Sequence, residues 1–186
     1  MSILEWTELG IPEGYGDPRL LYNPPSATLI VEVHPVGKAF LPSQIYFRHK
    51  DSVMYEPIRK PEPMVSCQSA VTSQGRPFLF YQSTKWVKQE DCYTGGDRGV
   101  YRFDILNRTH AEIVADDSLS IPAPYNRGWV SNLVAASEDA STLVLTIGMS
   151  VEDNTLGFHG APYHLACMDL ATKQLEFISQ LKSAFL

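Results

Sequence analysis

Three histidines, His34, His159 and His164, carry imidazole nitrogens of the kind that bind divalent metals. His159 and His164 lie close together in "HGAPYH", and Asp97, Glu152 and Asp153 are carboxylates in neighbouring segments that could complete a ligand set. Their spacing is not a compact metal motif of the HExxH kind, so the assignment rests on residue types alone. A second constellation is aromatic and polar. In "TKWVKQEDCYTGGDRG", Trp86 and Tyr93 interleave with Lys85, Lys88, Glu90, Asp91, Asp97 and Arg98, and Tyr125, Arg127 and Trp129 repeat the mixture further on. Aromatic faces beside charged donors suit recognition of a sugar or a peptide. The plainer reading is that such a tryptophan packs at a junction between structural units. His49 and His110 fall on β-like runs and read as structural. Nucleophilic chemistry has no visible seat: there is no G-x-S-x-G elbow, and Cys92, beside Asp91 and near Lys88, reads as accessible but inert. The glycines of "TGGDRG" lack the strand-to-helix context of a phosphate cradle.

The elements that must position these residues are β-strands. Phe103-Asp104-Ile105 returns 65 residues later as Met168-Asp169-Leu170, Val65-Ser66 returns as Val130-Ser131, and "PFLFY" falls on "TLVLT". Self-similarity at a fixed spacing is the mark of a repeat architecture. Each copy divides into four short runs: "CQSAVTS", "RPFLFYQS", "GVYRFDIL" and "HAEIVA", then "NLVAAS", "TLVLTIG", "YHLACMDL" and "QLEFIS". Polar turns, "QGR" and "EDAS", then "NRT" and "ATK", join them as hairpins. "RLLYNPPSATLIVEV" and "IYFRHKDSVMYEPI" make a looser first copy. The chain therefore reads as one all-β domain over 1–186, with four-stranded antiparallel units at about 17–60, 65–117 and 130–182.

Second runs that are almost continuously apolar fit strands pressed between sheets on both faces. That arrangement occurs in β-propeller blades. "SEDASTLVLTIG" resembles the S-x-D-G-x-x-L hairpin of TolB-like propeller repeats, and "YHLACMDLATKQLEFIS" resembles their outer D-L-x-T-G-x-x hairpin. Ala140 and Lys173 stand where that family usually has glycine. A plain β-sandwich is the alternative fold, but it gives no reason for a long-range echo.

Propellers close with about four to eight blades, so three would form an open arc. The expectation is a homodimer whose arcs complete a six-bladed ring, or an arc completed by another chain. Chain direction places the long connections, 34–43, 84–99, 116–129 and 149–162, on one rim and the tight turns on the other. Long connections on a rigid scaffold often carry function. The leading expectation is a non-catalytic binding or assembly module that recognises a protein or carbohydrate partner with Trp86, Tyr93, Asp97, Arg98, Tyr125, Arg127 and Trp129. No cofactor is needed in that reading. The alternative is a metal-assisted lyase, hydrolase or isomerase acting on a small sugar-like molecule, with His34, His159 and His164 as ligands. The resemblance favours it through oligogalacturonate lyases, which use similar repeats with metal-binding histidines.

Composition excludes other classes. A net charge of −6 argues against nucleic acid, whose phosphates attract clustered Lys and Arg. No apolar run is long enough to span a bilayer. The N-terminal "MSILEWTELG" lacks the basic and apolar regions of a signal peptide. Three widely spaced cysteines, Cys67, Cys92 and Cys167, form no disulfide framework and read as reduced thiols in the cytoplasm.

Overall fold

A computed structural model describes residues 13–36, 43–58, 65–89, 92–153, 157–158 and 163–181. Its strands form three four-stranded antiparallel sheets in chain order. Blade 1 comprises β1 (Tyr15–Asn23), β2 (Thr28–Pro35), β3 (Gln44–His49) and β4 (Glu56–Pro57). Blade 2 comprises β5 (Val65–Thr72), β6 (Phe78–Gln89), β7 (Cys92–Asp104) and β8 (Thr109–Ala115). Blade 3 comprises β9 (Arg127–Ala136), β10 (Thr142–Ser150), β13 (Tyr163–Asp169) and β14 (Leu175–Leu181), with a small ribbon of β11 (Glu152–Asp153) and β12 (Gly157–Phe158) between its middle strands. Each blade has the meander order expected from its hairpins, and the first strands adjoin one another, β5 touching both β1 and β9. Three separate sheets in series replace the two layers that a sandwich would need.

Two apolar seams hold the row together. Ile30, Ile45 and Phe47 of blade 1 meet Ala70, Leu79, Tyr81 and Phe103 of blade 2. Phe80, Val100 and Val114 of blade 2 meet Val130, Leu133, Leu143, Leu145 and Met168 of blade 3. Alternate residues of β6 thus serve opposite seams, which is why "FLFY" is apolar at every position. Each large side chain buried this way contributes about 1.5–3 kcal/mol.

Polar latches join the tight-turn rim. Asn23 Nδ2 donates to the Ser73 and Arg76 carbonyls, each at 2.8 Å. One blade on, Ser73 Oγ donates to the Glu138 carbonyl at 2.7 Å, and Gly75 N donates to the same oxygen at 3.0 Å. A Cβ at Gly75 would run into that carbonyl, so the close approach requires glycine. Within the third hairpin, Ser137 Oγ and Ser141 donate to Asp139, whose carboxyl is held down at about 2 by these bonds.

Two features differ from the sequence reading. Residues 84–89 and 92–99 are strand rather than loop: β6 and β7 continue as a ladder to Gln89 and Cys92, so their polar and glycine residues sit in a β-ribbon, while Glu90 and Asp91 lie outside the described residues. Strand pairing satisfies the backbone there, although no apolar alternation marks it. The repeat is also not at a constant 65. Ser73 N donates to Phe78 O and Ser137 N to Thr142 O, so "FLFYQ", rather than "PFLFY", superposes on "TLVLT" at an offset of 64. Asp104 and Asp169 do align at 65, each carboxylate capping its own turn.

Candidate functional site

The rim bearing the long connections is built from the far ends of the second and third strands. On blade 2 the ladder with β5 ends at Lys85 and that with β8 at Gly99. Beyond those points Trp86–Gln89 pairs with Cys92–Gly95, and among the described residues no other strand pairs with this two-stranded ribbon. Trp86 lies opposite Gly95 in its register, and Lys88 opposite Tyr93. Asp97 belongs to the same ribbon; Arg98 is exposed and opposes Thr84.

The connection from blade 2 to blade 3 brings further residues to this rim. A 3-10 turn at Asp116–Ser118 directs Asp116 toward β9, where its Oδ1 accepts from Val130 N at 3.1 Å. Burial pushes the Asp116 carboxyl up, opposed by that hydrogen bond and by the positive charge of Arg98. Arg127 pairs with Ser150, and Trp129 lies across Gly148, where any Cβ would run into the indole. The Trp129 ring therefore packs on its own sheet. Tyr125 meets the His164 ring at 6.2 Å between centroids, and His164 in turn meets Phe177 at 5.9 Å. His164 opposes buried Ile147 and is part of the aromatic packing between blades 2 and 3.

His34 occupies the other seam. Its Nδ1 shares a 2.7 Å hydrogen bond with Ser43 Oγ, while Nε2 lies 3.8 Å from Glu32 Oε1. Glu32 is only 1% exposed, neither oxygen has a hydrogen-bond partner among the described residues, and Arg19 approaches Oε2 at 3.7 Å. Burial dominates and pushes this carboxyl up, with His34 and then Arg19 opposing. Chemically, Glu32 is a group poised to hold a proton inside the seam. It was legible only as the charged residue interrupting "TLIVEV".

His34 and His164 face different seams, and His159 lies outside the described residues. Among the described residues no group of three or more His, Cys, Asp or Glu is placed to hold a metal ion. The nearest approach to a donor pair, Glu32 with His34, also faces Arg19, whose fixed positive charge opposes a cation there. The Glu32–His34 pair therefore does not fit a resident divalent metal. No helix among the described residues is long and apolar enough to cross a membrane.

No family model matches the chain, and no curated protein matches its sequence. Solved structures do match. An oligogalacturonate lyase in complex with manganese superposes with a TM-score of 0.50 at 15% identity, over 89% of this chain and 36% of that one. Trypanosoma rangeli sialidase in complex with the inhibitor DANA gives 0.51 at 9% identity, over 92% of this chain and 32% of that one. The chain spans about a third of the length of the structures it matches. Both likenesses concern arrangement rather than activity, and they agree with the seams and latches described above: the three sheets are blade-like units arranged as in a β-propeller.

Proposed function

We propose that this protein is a non-catalytic binding module of TolB-like blades that holds a protein or carbohydrate partner on its long-connection rim. The observation that supports this is the β6–β7 ribbon, which extends past both neighbouring strands and carries Trp86 and Tyr93 with Lys88, Asp97 and Arg98. An aromatic and charged ribbon on a rigid blade offers stacking surface and directional donors at little ordering cost. Tyr125, Arg127 and Trp129, at the entry to blade 3, are further candidates on this rim, and the free thiol at Cys167 suits a cytoplasmic setting. Calorimetric titration with oligogalacturonate, as a representative acidic glycan, tests the carbohydrate arm. Binding that Trp86→Ala abolishes while leaving the circular dichroism unchanged supports the reading; binding indifferent to Trp86→Ala and Tyr93→Ala removes the ribbon from it.

The manganese named for the oligogalacturonate lyase motivates a second reading, a metal-assisted lyase, hydrolase or isomerase using His159 and His164, with His34 set apart on blade 1. Metal analysis of the purified protein separates the two. Stoichiometric manganese or zinc, lost in His159→Ala with His164→Ala, supports the enzyme; metal-free protein that binds ligand supports the module.

A further inference from the structure

The two ends of the row carry the two halves of an interface that the chain already makes twice. On the side each blade turns to its successor, Glu32 pairs with Ile45, Gln82 with Val100 and Thr146 with Leu165, at one equivalent position in the three sheets. Ile30 and Ile45 in blade 1 and Phe80 and Val100 in blade 2 are fully buried under the next blade, whereas their counterparts Val144 and Leu165 are only half-buried. The outer strands repeat the contrast. Ile113 and Ile178 sit at the same irregularity of their ladders, yet Ile113 packs into the seam and Ile178 is 56% exposed.

The receiving side shows the complementary gap. Ala70, opposite Tyr81, and Leu133, opposite Leu145, are buried against the preceding blade. Leu20, opposite Val31, holds the same place in blade 1 and is 60% exposed, with Tyr22 beside it at 52%. Farther out on that face Val31, Val33 and Tyr46 are buried with Tyr15 and Tyr55 packed on them, so the open strip follows the inner strand. The polar contacts match. Gln82 Nε2 donates to the Val130 carbonyl of the next inner strand, but Thr146 Oγ1, at the equivalent position, is buried without a hydrogen-bond partner among the described residues. Buried donors of this kind are seldom left unpaired.

We propose that two copies of this chain associate through blade 3 of each and blade 1 of the other, forming two equivalent seams and a ring of six blades. Continuity of the internal seams favours a second copy: each end presents what the other lacks, and a two-fold axis uses both at once. A surface of this kind left open would be an aggregation liability.

Sedimentation equilibrium of the native chain from low-micromolar concentrations upward tests this directly. The expected mass is twice the 20.8 kDa of one chain. Leu20→Glu and Ile178→Glu, both at exposed positions, should each weaken association about a hundredfold or more, because a charge enters an apolar seam. Mixing the two variants should restore some dimer, since each retains the face the other has lost and one seam can re-form. A native monomer at all concentrations overturns the proposal. So does a dimer sensitive to Ile178→Glu but not to Leu20→Glu, which would be a blade 3 to blade 3 contact, and so does a mixture that gains nothing. Far-UV circular dichroism of each variant checks that it folds, and the native mass decides the matter independently of them.

Discussion

Gln82 and Thr146 occupy the same point of consecutive blades, yet only Gln82 reaches a neighbouring main chain, donating to the carbonyl of Val130. Glu32 is the third member of this set, at the same distance from the start of its strand. Three polar side chains interrupt three apolar strands at one level and face along the row. Gln82 is bonded to the next blade, whereas the Glu32 carboxyl and the Thr146 hydroxyl are buried with no hydrogen-bond partner among the described residues.

Glu32→Gln is expected to stabilise the protein. By the geometry of Gln82, the carboxamide could donate to the carbonyl of Cys67, which stands in blade 2 where Val130 stands in blade 3. Removing a buried, unbonded carboxyl and losing its attraction to His34 and Arg19 should leave a net gain of about 1 kcal/mol at neutral pH. The sign follows from the raised folded-state pKa. Between the ordinary glutamate value and that raised value the folded chain keeps a proton the unfolded chain has lost, so stability falls as pH rises through this window. Urea denaturation across the acidic to neutral range should show that fall in the native protein and its loss in Glu32→Gln.

Ala140 and Lys173 adopt left-handed backbone, with φ of 60° and 62°. A side chain costs roughly 1–2 kcal/mol there, and glycine returns part of that gain through its greater freedom in the unfolded chain. Ala140→Gly and Lys173→Gly should each raise stability by about 0.5–1 kcal/mol in chemical denaturation. Being in separate hairpins, they should add. A loss of stability in either variant would contradict the turn geometry.

Gly148→Ala should disturb Trp129, because the new methyl group meets the indole plane. The expected cost is about 1–3 kcal/mol, accompanied by a red shift of tryptophan fluorescence as the ring leaves its sheet. An unchanged spectrum and stability would mean that Trp129 does not rest on Gly148.

Much of the fold was legible because it is local. Asp104 and Asp169 bond the amides two and three residues ahead, and such turns declare themselves in short stretches such as "DILNR" and "DLATK". Alternating seams likewise left their mark in "FLFY", where both faces are covered. The β6–β7 ribbon was not legible: its sequence carries no apolar alternation, so its charges and glycines resembled a loop. The candidate rim was visible only as a set of long connections, and the structure separates His34 and His164 between blades 1 and 3.

The amino-acid order by itself determined the strands, their hairpins and the fact of repetition, because β-propensity and turn chemistry act between residues near in the chain. Which side of each strand faces which neighbour was decided only in three dimensions, because moving the pairing by one residue turns every side chain to the opposite face. For that reason the match of "TLVLT" to "FLFYQ", the burial of Glu32 and the buried hydroxyl of Thr146 emerged from the packed sheets.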